Sequence, residues 1–71
     1  MLNILDTMYH EYTDKGRICQ VWKDQVGVWV TRHFEANDVG MNIWVKDVVH
    51  TGHNESWAED AAENWVLRIN S

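Results

Sequence analysis

Four histidines and a single cysteine are the residues of this sequence whose types could hold a metal or perform catalysis. The run His50-Thr51-Gly52-His53 has a spacing found among metal ligands, and a zinc site needs imidazoles or thiolates that converge in a tetrahedron. No second pair of histidines or cysteines stands at a recognised spacing, and His10 and His33 are isolated. We therefore expect no metal and no cofactor, and keep metal-dependent activity through His50 and His53 as a remote alternative.

Nucleophilic catalysis has one candidate, Cys19 paired with a histidine. Cys19 lies in the middle of an apolar, strand-like segment, and burial there would raise the pKa of its thiol and suppress the reactive thiolate. The four glycines are each isolated at a turn signal, so no glycine-rich phosphate loop is present. The sequence predicts a protein that is not an enzyme.

Five tryptophans form the second group of residues that could do chemistry, here by binding. If a four-residue turn at 24–27 joins two strands, alternation places Cys19 and Val21 on one face with Val28 and Val30. Ile43, Val45 and Val49 would extend that face beneath a helix. The other face would carry Ile18, Trp22, Trp29, Thr31, His33, Trp44, Lys46 and Val48.

An exposed aromatic sheet face of this kind is a candidate surface for binding a protein partner. The predicted contact residues are Trp22, Trp29, Trp44, His33 and Lys46. Two alternatives stay open. The core could be the other way round, with these tryptophans under the helix or beneath a second subunit, or the rings could stack nucleic-acid bases.

The acidic balance bears on which partner is expected. Six basic against eleven acidic residues give a formal charge of −5, which argues against a phosphate backbone as the ligand. The densest acidic stretch is Glu55, Glu59, Asp60 and Glu63. This stretch is interpreted either as a solvated helix face or as an acidic docking surface for a basic partner.

The elements that must position these residues follow from periodicity and turn signals. A capping box of Ser56 and Glu59 opens a helix over about 56–70, whose apolar side is Ala58, Ala61, Ala62, Trp65, Val66 and Ile69. Segments rich in valine, tryptophan and threonine predict strands over about 16–24, 27–35 and 41–50. Residues 2–12 suit either a helix or a strand, and a strand over about 7–13 is favoured because a hairpin loop ending in Gly16 follows.

The prediction is a single α+β domain over 1–71, with a three- to four-stranded antiparallel β-meander and one C-terminal amphipathic helix packed on one face. A 45% apolar content suffices for a packed core. The lone cysteine favours a reducing cytoplasm, and the N-terminus lacks the basic region of a signal peptide. The longest apolar run is far below the roughly 20 residues that span a bilayer.

Two segments carry a resemblance to known proteins: Gly27-Val28-Trp29-Val30-Thr31-Arg32, and Ser56-Trp57-Ala58-Glu59-Asp60-Ala61-Ala62-Glu63-Asn64-Trp65-Val66. Over about 16–70 the chain resembles small uncharacterised proteins of tailed bacteriophages, cyanophages among them. The resemblance implies a viral accessory or host-takeover factor that acts in the host cytoplasm on a host or phage protein.

Strands followed by an alanine-rich helix also resemble the arm-type DNA-binding domain of phage integrases. Those domains read DNA with tryptophans and basic residues on the sheet, which Trp22, Trp29 and Trp44 could match in kind, with Arg32 and Lys46 nearby. The sequence therefore predicts a non-enzymatic interaction protein, expected to be a homodimer, that binds through the tryptophan face or the acidic helix. A nucleic-acid-binding module is the alternative.

Overall fold

The computed structural model, which describes residue 2 and residues 4–69, has the predicted α+β architecture. Its strands are β1 (Thr7–Asp14), β2 (Arg17–Lys23), β3 (Trp29–Ala36) and β4 (Asn42–His50), and its helix is α1 (Glu55–Val66). The strands form one antiparallel sheet in the order β1-β2-β3-β4, and α1 packs against one face. The prediction of an antiparallel meander with one C-terminal helix is confirmed.

The helix begins at Glu55 and ends at Val66, so both ends lie earlier than in the predicted range of about 56–70. Asn54 is the N-cap, because its extended backbone lets its side-chain oxygen accept a hydrogen bond from the Trp57 amide at 3.0 Å. Ser56 lies in the first turn. The helix stops after Val66, where Arg68 takes a left-handed conformation with φ of 59°. Within the described residues no helix has the length and apolar character needed to span a membrane.

Each hairpin loop fixes the register of the strands that it joins. Lys15 and Gly16 join β1 to β2 with φ of 43° and 85°, the paired positive values of a tight two-residue turn. The other two loops have five residues each, 24–28 and 37–41, because Lys23 pairs with Trp29 and Ala36 with Asn42.

The two five-residue loops are built in the same way. The Asp24 carboxylate accepts hydrogen bonds from the amides of Val26 and Val28 at 3.0 and 2.9 Å. The Asn37 side chain likewise accepts from the amides of Val39 and Met41 at 3.1 and 2.9 Å. Each loop has a glycine at its fourth position, Gly27 or Gly40, with φ near that of a left-handed residue.

This loop length makes the predicted assignment of the sheet faces wrong. A five-residue loop pairs Val21 with Thr31 and Cys19 with His33, whereas a four-residue turn would have paired Val21 with Val30. The helix-covered side of the sheet carries Cys19, Val21, Trp29, Thr31, His33, Lys46, Val48 and His50. The opposite side, which α1 does not cover and which is here called the open face, carries Ile18, Gln20, Trp22, Val30, Arg32, Phe34, Trp44, Asp47 and Val49. Val30 is nevertheless buried there.

The core lies between α1 and the first three strands. Cys19, Val21 and Trp29 pack there beneath helix residues Ala58, Ala62 and Val66, with Tyr12 and Trp65 at its margin. The two alanines let the helix approach the sheet closely, as their spacing predicted. The strand β4 lies at the sheet edge, outside the main contacts of α1, and most of its residues are exposed.

Candidate functional site

The three strand tryptophans do not share a face. Trp29 is 8% exposed and belongs to the core, where its ring meets Tyr9 edge-on at 5.1 Å between ring centroids. The Lys23 ammonium lies 5.3 Å from its centroid. Trp29 is therefore a packing residue, and its place in the predicted partner-binding set is wrong because the longer loop turns it toward the helix.

Trp22 and Trp44 are the tryptophans that the structure does bring to the open face. Trp22 is half-buried, and its indole N–H donates to the Gln20 side-chain oxygen at 2.9 Å. Gln20 in turn donates to the Glu11 carboxylate at 2.9 Å. These bonds run along the surface of β2 and β1, so Trp22 is held as part of the sheet surface.

Trp44 is the most exposed strand tryptophan, with 56% of its surface accessible. Its indole N–H donates to Asp47 at 2.9 Å, and Arg32 donates to both carboxylate oxygens of Asp47, each at 2.9 Å. The Arg32 hydrogen bonds hold the pKa of Asp47 below its usual value, and those same bonds raise the pKa of Arg32. A two-point arginine–carboxylate pair of this kind fixes geometry well, so the exposed ring has a rigid support.

Exposed apolar side chains precede and follow Trp44 along the edge strand and the loop before it. The exposed members are Val39, Met41, Ile43, Val45 and Val49. Val45 stands at an irregularity in the β3–β4 pairing, between the pairs His33–Lys46 and Phe34–Trp44. An open hollow of about 350 Å³ lies across the four strands of the open face and is lined by Glu11, Ile18, Gln20, Phe34 and Asn42. Apolar side chains at an uncovered strand edge are features of binding surfaces.

His33 and Lys46, the remaining predicted contact residues, lie on the helix-covered side. His33 is buried, and its ring meets Trp65 edge-on at 4.6 Å between ring centroids. The Thr31 hydroxyl oxygen lies 2.9 Å from Nε2 of His33 and 2.9 Å from Nε2 of His50, so one hydroxyl bridges the two rings by hydrogen bonds. Lys46 pairs across the strands with His33 and is exposed. His33 is thus a core residue and not a contact residue.

Cys19 and His33 form the pair that could have served nucleophilic catalysis. The Cys19 sulfur lies 3.6 Å from Nδ1 and 3.8 Å from Nε2 of His33. Burial raises the pKa of the Cys19 thiol to about 12, and burial, aided by the charge of Lys46, lowers the pKa of His33 to about 4. Both shifts favour the neutral forms, whereas a catalytic pair needs a thiolate beside an imidazolium. The arrangement is that of a packed polar contact.

His50 and His53 are not brought together as metal ligands. His50 is buried and bonded to Thr31, and burial followed by the charge of His53 lowers its pKa. His53 is exposed and stacks flat on Trp57, with ring centroids 4.0 Å apart and planes 8° apart. The sequence spacing that resembled a metal motif instead divides one buried from one exposed imidazole.

The acidic helix stretch is divided between two environments. Glu55 and Glu59 both approach Nε2 of His10 on β1, with oxygens at 2.9 and 2.7 Å. Asp60 and Glu63 are exposed. Sequence reasoning did not predict the contact with His10. The available signal was the spacing of four between the two glutamates, which puts both carboxylates on one side of the helix.

The chain matches no family model, no curated protein and no solved structure.

Proposed function

We propose that the chain is a non-enzymatic interaction protein that binds a protein partner through the β4 side of its open face, with Trp44 as the anchor. The observation that carries this proposal is the exposed Trp44 ring, fixed from behind by Asp47 and Arg32. Residues that contribute most to protein interfaces are enriched in tryptophan, and a side chain already held in place loses less entropy on binding.

The surroundings of Trp44 suit a protein partner with an apolar surface. Ile43, Val45 and Val49 offer apolar area on both sides of the edge strand, while Asp47 and Arg32 supply polar groups beside it. Apolar and aromatic centres bordered by polar groups are typical of protein interfaces. A β4 edge with exposed side chains is also the natural contact between two copies, which would account for the expected homodimer.

The charge arrangement favours a protein over a nucleic acid. Arg32, a basic residue of the open face, is engaged by Asp47 through both carboxylate oxygens. A phosphate would have to displace that carboxylate, in a chain whose formal charge is −5. The integrase-arm type of DNA binding also requires tryptophans on one face, and Trp29 lies on the other.

Two further points support the proposal. The shifts of Cys19 toward the thiol and of His33 toward the neutral ring favour a structural over a catalytic role for this pair. The resemblance to phage accessory proteins suggests a cytoplasmic partner in a bacterial host, encoded by the host or the phage. The acidic helix is the weaker docking candidate, because Glu55 and Glu59 are already paired with His10.

The proposal is tested by affinity capture from host lysate with the wild type and two tryptophan variants. Trp44→Ala removes the proposed anchor. Trp57→Ala removes a comparably exposed tryptophan, 52% accessible, from the helix and serves as the matched control. Capture is followed by measurement of affinity for the purified partner. We expect Trp44→Ala to weaken binding by about 2 kcal/mol, roughly thirty-fold, and Trp57→Ala to leave it nearly unchanged.

Equal retention of the partner by both variants would contradict the proposal, as would the absence of any protein whose capture depends on Trp44. Loss with Trp57→Ala alone would move the site to the helix. A captured nucleic acid whose affinity falls steeply with salt and on Arg32→Ala or Lys46→Ala would favour the alternative function.

A further inference from the structure

His10, Glu55 and Glu59 form a cluster of metal-ligating side chains away from the open face. His10 comes from the edge strand β1, and the two glutamates come from the first part of α1. One nitrogen and two carboxylate oxygens of these residues all lie within 4.8 Å of one another, and within the described part of the chain they are the residues that converge in this way. The geometry points to a binding site for a divalent transition-metal ion of the zinc type.

The charge of the cluster favours a divalent cation. Two carboxylates approach the same imidazole nitrogen at 2.9 and 2.7 Å, although that nitrogen has at most one proton to share between them. With a neutral ring the three groups carry two negative charges, and with a protonated ring they carry one. A divalent ion bound to the neutral ring would bring the net charge to zero and serve both carboxylates at once.

The donor atoms indicate which cation fits. One imidazole nitrogen with two carboxylate oxygens is a borderline donor set, suited to zinc and its neighbours and poorly suited to calcium, which takes six to eight oxygens. Zinc bonds of about 2.0–2.2 Å in a tetrahedron place ligand atoms about 3.4 Å apart. The His10 nitrogen lies 2.9 and 2.7 Å from the two carboxylate oxygens, so each of these two distances has to lengthen by less than about 1 Å. The side chains are 37%, 44% and 28% exposed, which leaves a fourth position for water.

A purely structural role accounts for part of this arrangement. Glutamates in the first turn of a helix stabilise its dipole, and a protonated His10 would tie β1 to the helix. The dipole explains why acids occur at the start of α1. It does not explain why Glu55 and Glu59, rather than the nearby Asp60, meet an imidazole that a different element supplies. A purely structural cluster would not bind added zinc at a single defined site, whereas a metal-binding site would.

The test is isothermal titration calorimetry of untagged full-length protein with zinc chloride, and with calcium chloride in parallel. We expect zinc to saturate a single site per chain and calcium to show no comparable binding. His10→Gln and Glu59→Gln should each weaken zinc binding at least about ten-fold. In the wild-type protein, NMR of the histidine rings should show that zinc shifts the His10 nitrogen signals. This measurement needs no variant, so it tests the site even if a variant folds poorly.

Two matched controls separate a built site from general attraction. Asp60→Asn makes the same charge change as Glu59→Gln one position along the helix, and His53→Gln removes an exposed imidazole; neither should alter zinc affinity by more than about two-fold. Equal weakening by Glu59→Gln and Asp60→Asn would show diffuse electrostatics and overturn the site. So would an unshifted His10 signal at saturating zinc, or loss of binding with His53→Gln.

Discussion

Acidification between pH 7 and pH 5 should destabilise this protein through His33. The ring is buried against Trp65 and bonded to Thr31, and its pKa is lowered from the ordinary 6.5 to about 4. Because the unfolded chain takes up the proton first, the stabilisation associated with the neutral ring is present above about pH 6.5, is lost progressively as pH falls below that value, and is gone below about pH 4. The lowered pKa of His50 acts in the same direction.

The lowered pKa of His33 sets how much unfolding free energy is lost on acidification. A difference of 2.5 pH units between the two pKa values corresponds to about 3 kcal/mol in full, of which about 2 kcal/mol is lost by pH 5. A domain of 71 residues has an expected unfolding free energy of about 4–10 kcal/mol, so this loss is a large fraction of the total. The Asp47 carboxylate, whose pKa is lowered by its hydrogen bonds from Arg32, contributes at more acidic pH.

The assay is urea unfolding followed by tryptophan fluorescence at pH 7, 6 and 5. His33→Gln keeps a hydrogen-bonding group for Thr31 but does not titrate, so we expect it to be less stable at pH 7 and to lose much of the pH slope. Val66→Ala, which removes packing from the same core, should lower stability by about 1–3 kcal/mol equally at each pH. A wild-type urea midpoint that is the same at pH 5 and pH 7, or an unchanged pH dependence in His33→Gln, would show that His33 does not control the acid stability.

Three other expectations concern loops and the thiol. Asp24→Ala should lower the unfolding free energy by about 1–2 kcal/mol because two loop amides lose their acceptor, while Asp24→Asn should retain most of it in urea unfolding. Lys15→Asn should raise the thermal midpoint by a few degrees, since asparagine suits the positive φ before Gly16 better. Cys19 should react with a thiol reagent at pH 8 far more slowly in the folded protein than in denaturant, and equal rates would contradict its burial.

The elements of the fold could be predicted because their signals are local. Dense β-branched and aromatic residues mark β2 and β3, and the alanines of α1 repeat at helical spacing. The helix boundaries could not be predicted as well, because the local signals at both ends allow more than one residue. Asn54 and Ser56 are both good N-cap residues, and the hydrogen bond from the Trp57 amide selects Asn54. At the other end, Ile69 continues the apolar pattern beyond the last helical residue.

The assignment of the faces failed because one residue of loop length decides it. A side-chain period of two means that a five-residue loop in place of four exchanges the two sides of β3 and of β4 from Lys46 onward. The irregularity at Val45 returns Trp44 to the side that was predicted for it. The sequence did contain a signal, since Asp24 and Asn37 each stand three residues before a glycine, and each side chain closes its loop. A repeated Asx-x-x-Gly pattern between strands would have predicted equal loops.

The candidate site could be predicted only in part. Exposed aromatic residues on a sheet were expected, and Trp44 fits that expectation. The burial of His33 was not predicted because the loop predicted before β3 is one residue too short. The pairing of Arg32 with Asp47 depends on the strand register between β3 and β4. His10 meets Glu55 and Glu59 across 45 or more residues of chain, which no local pattern encodes.

The central claim, that Trp44 is the anchor of a protein-binding surface, is tested most directly by site-specific photo-crosslinking in host cells. A photoreactive amino acid is placed at position 44, and in a separate variant at position 57. We expect a discrete crosslinked partner from position 44 that is absent from position 57, or a crosslinked dimer if the partner is a second copy. A partner that crosslinks from position 57 and not from position 44 would contradict this claim.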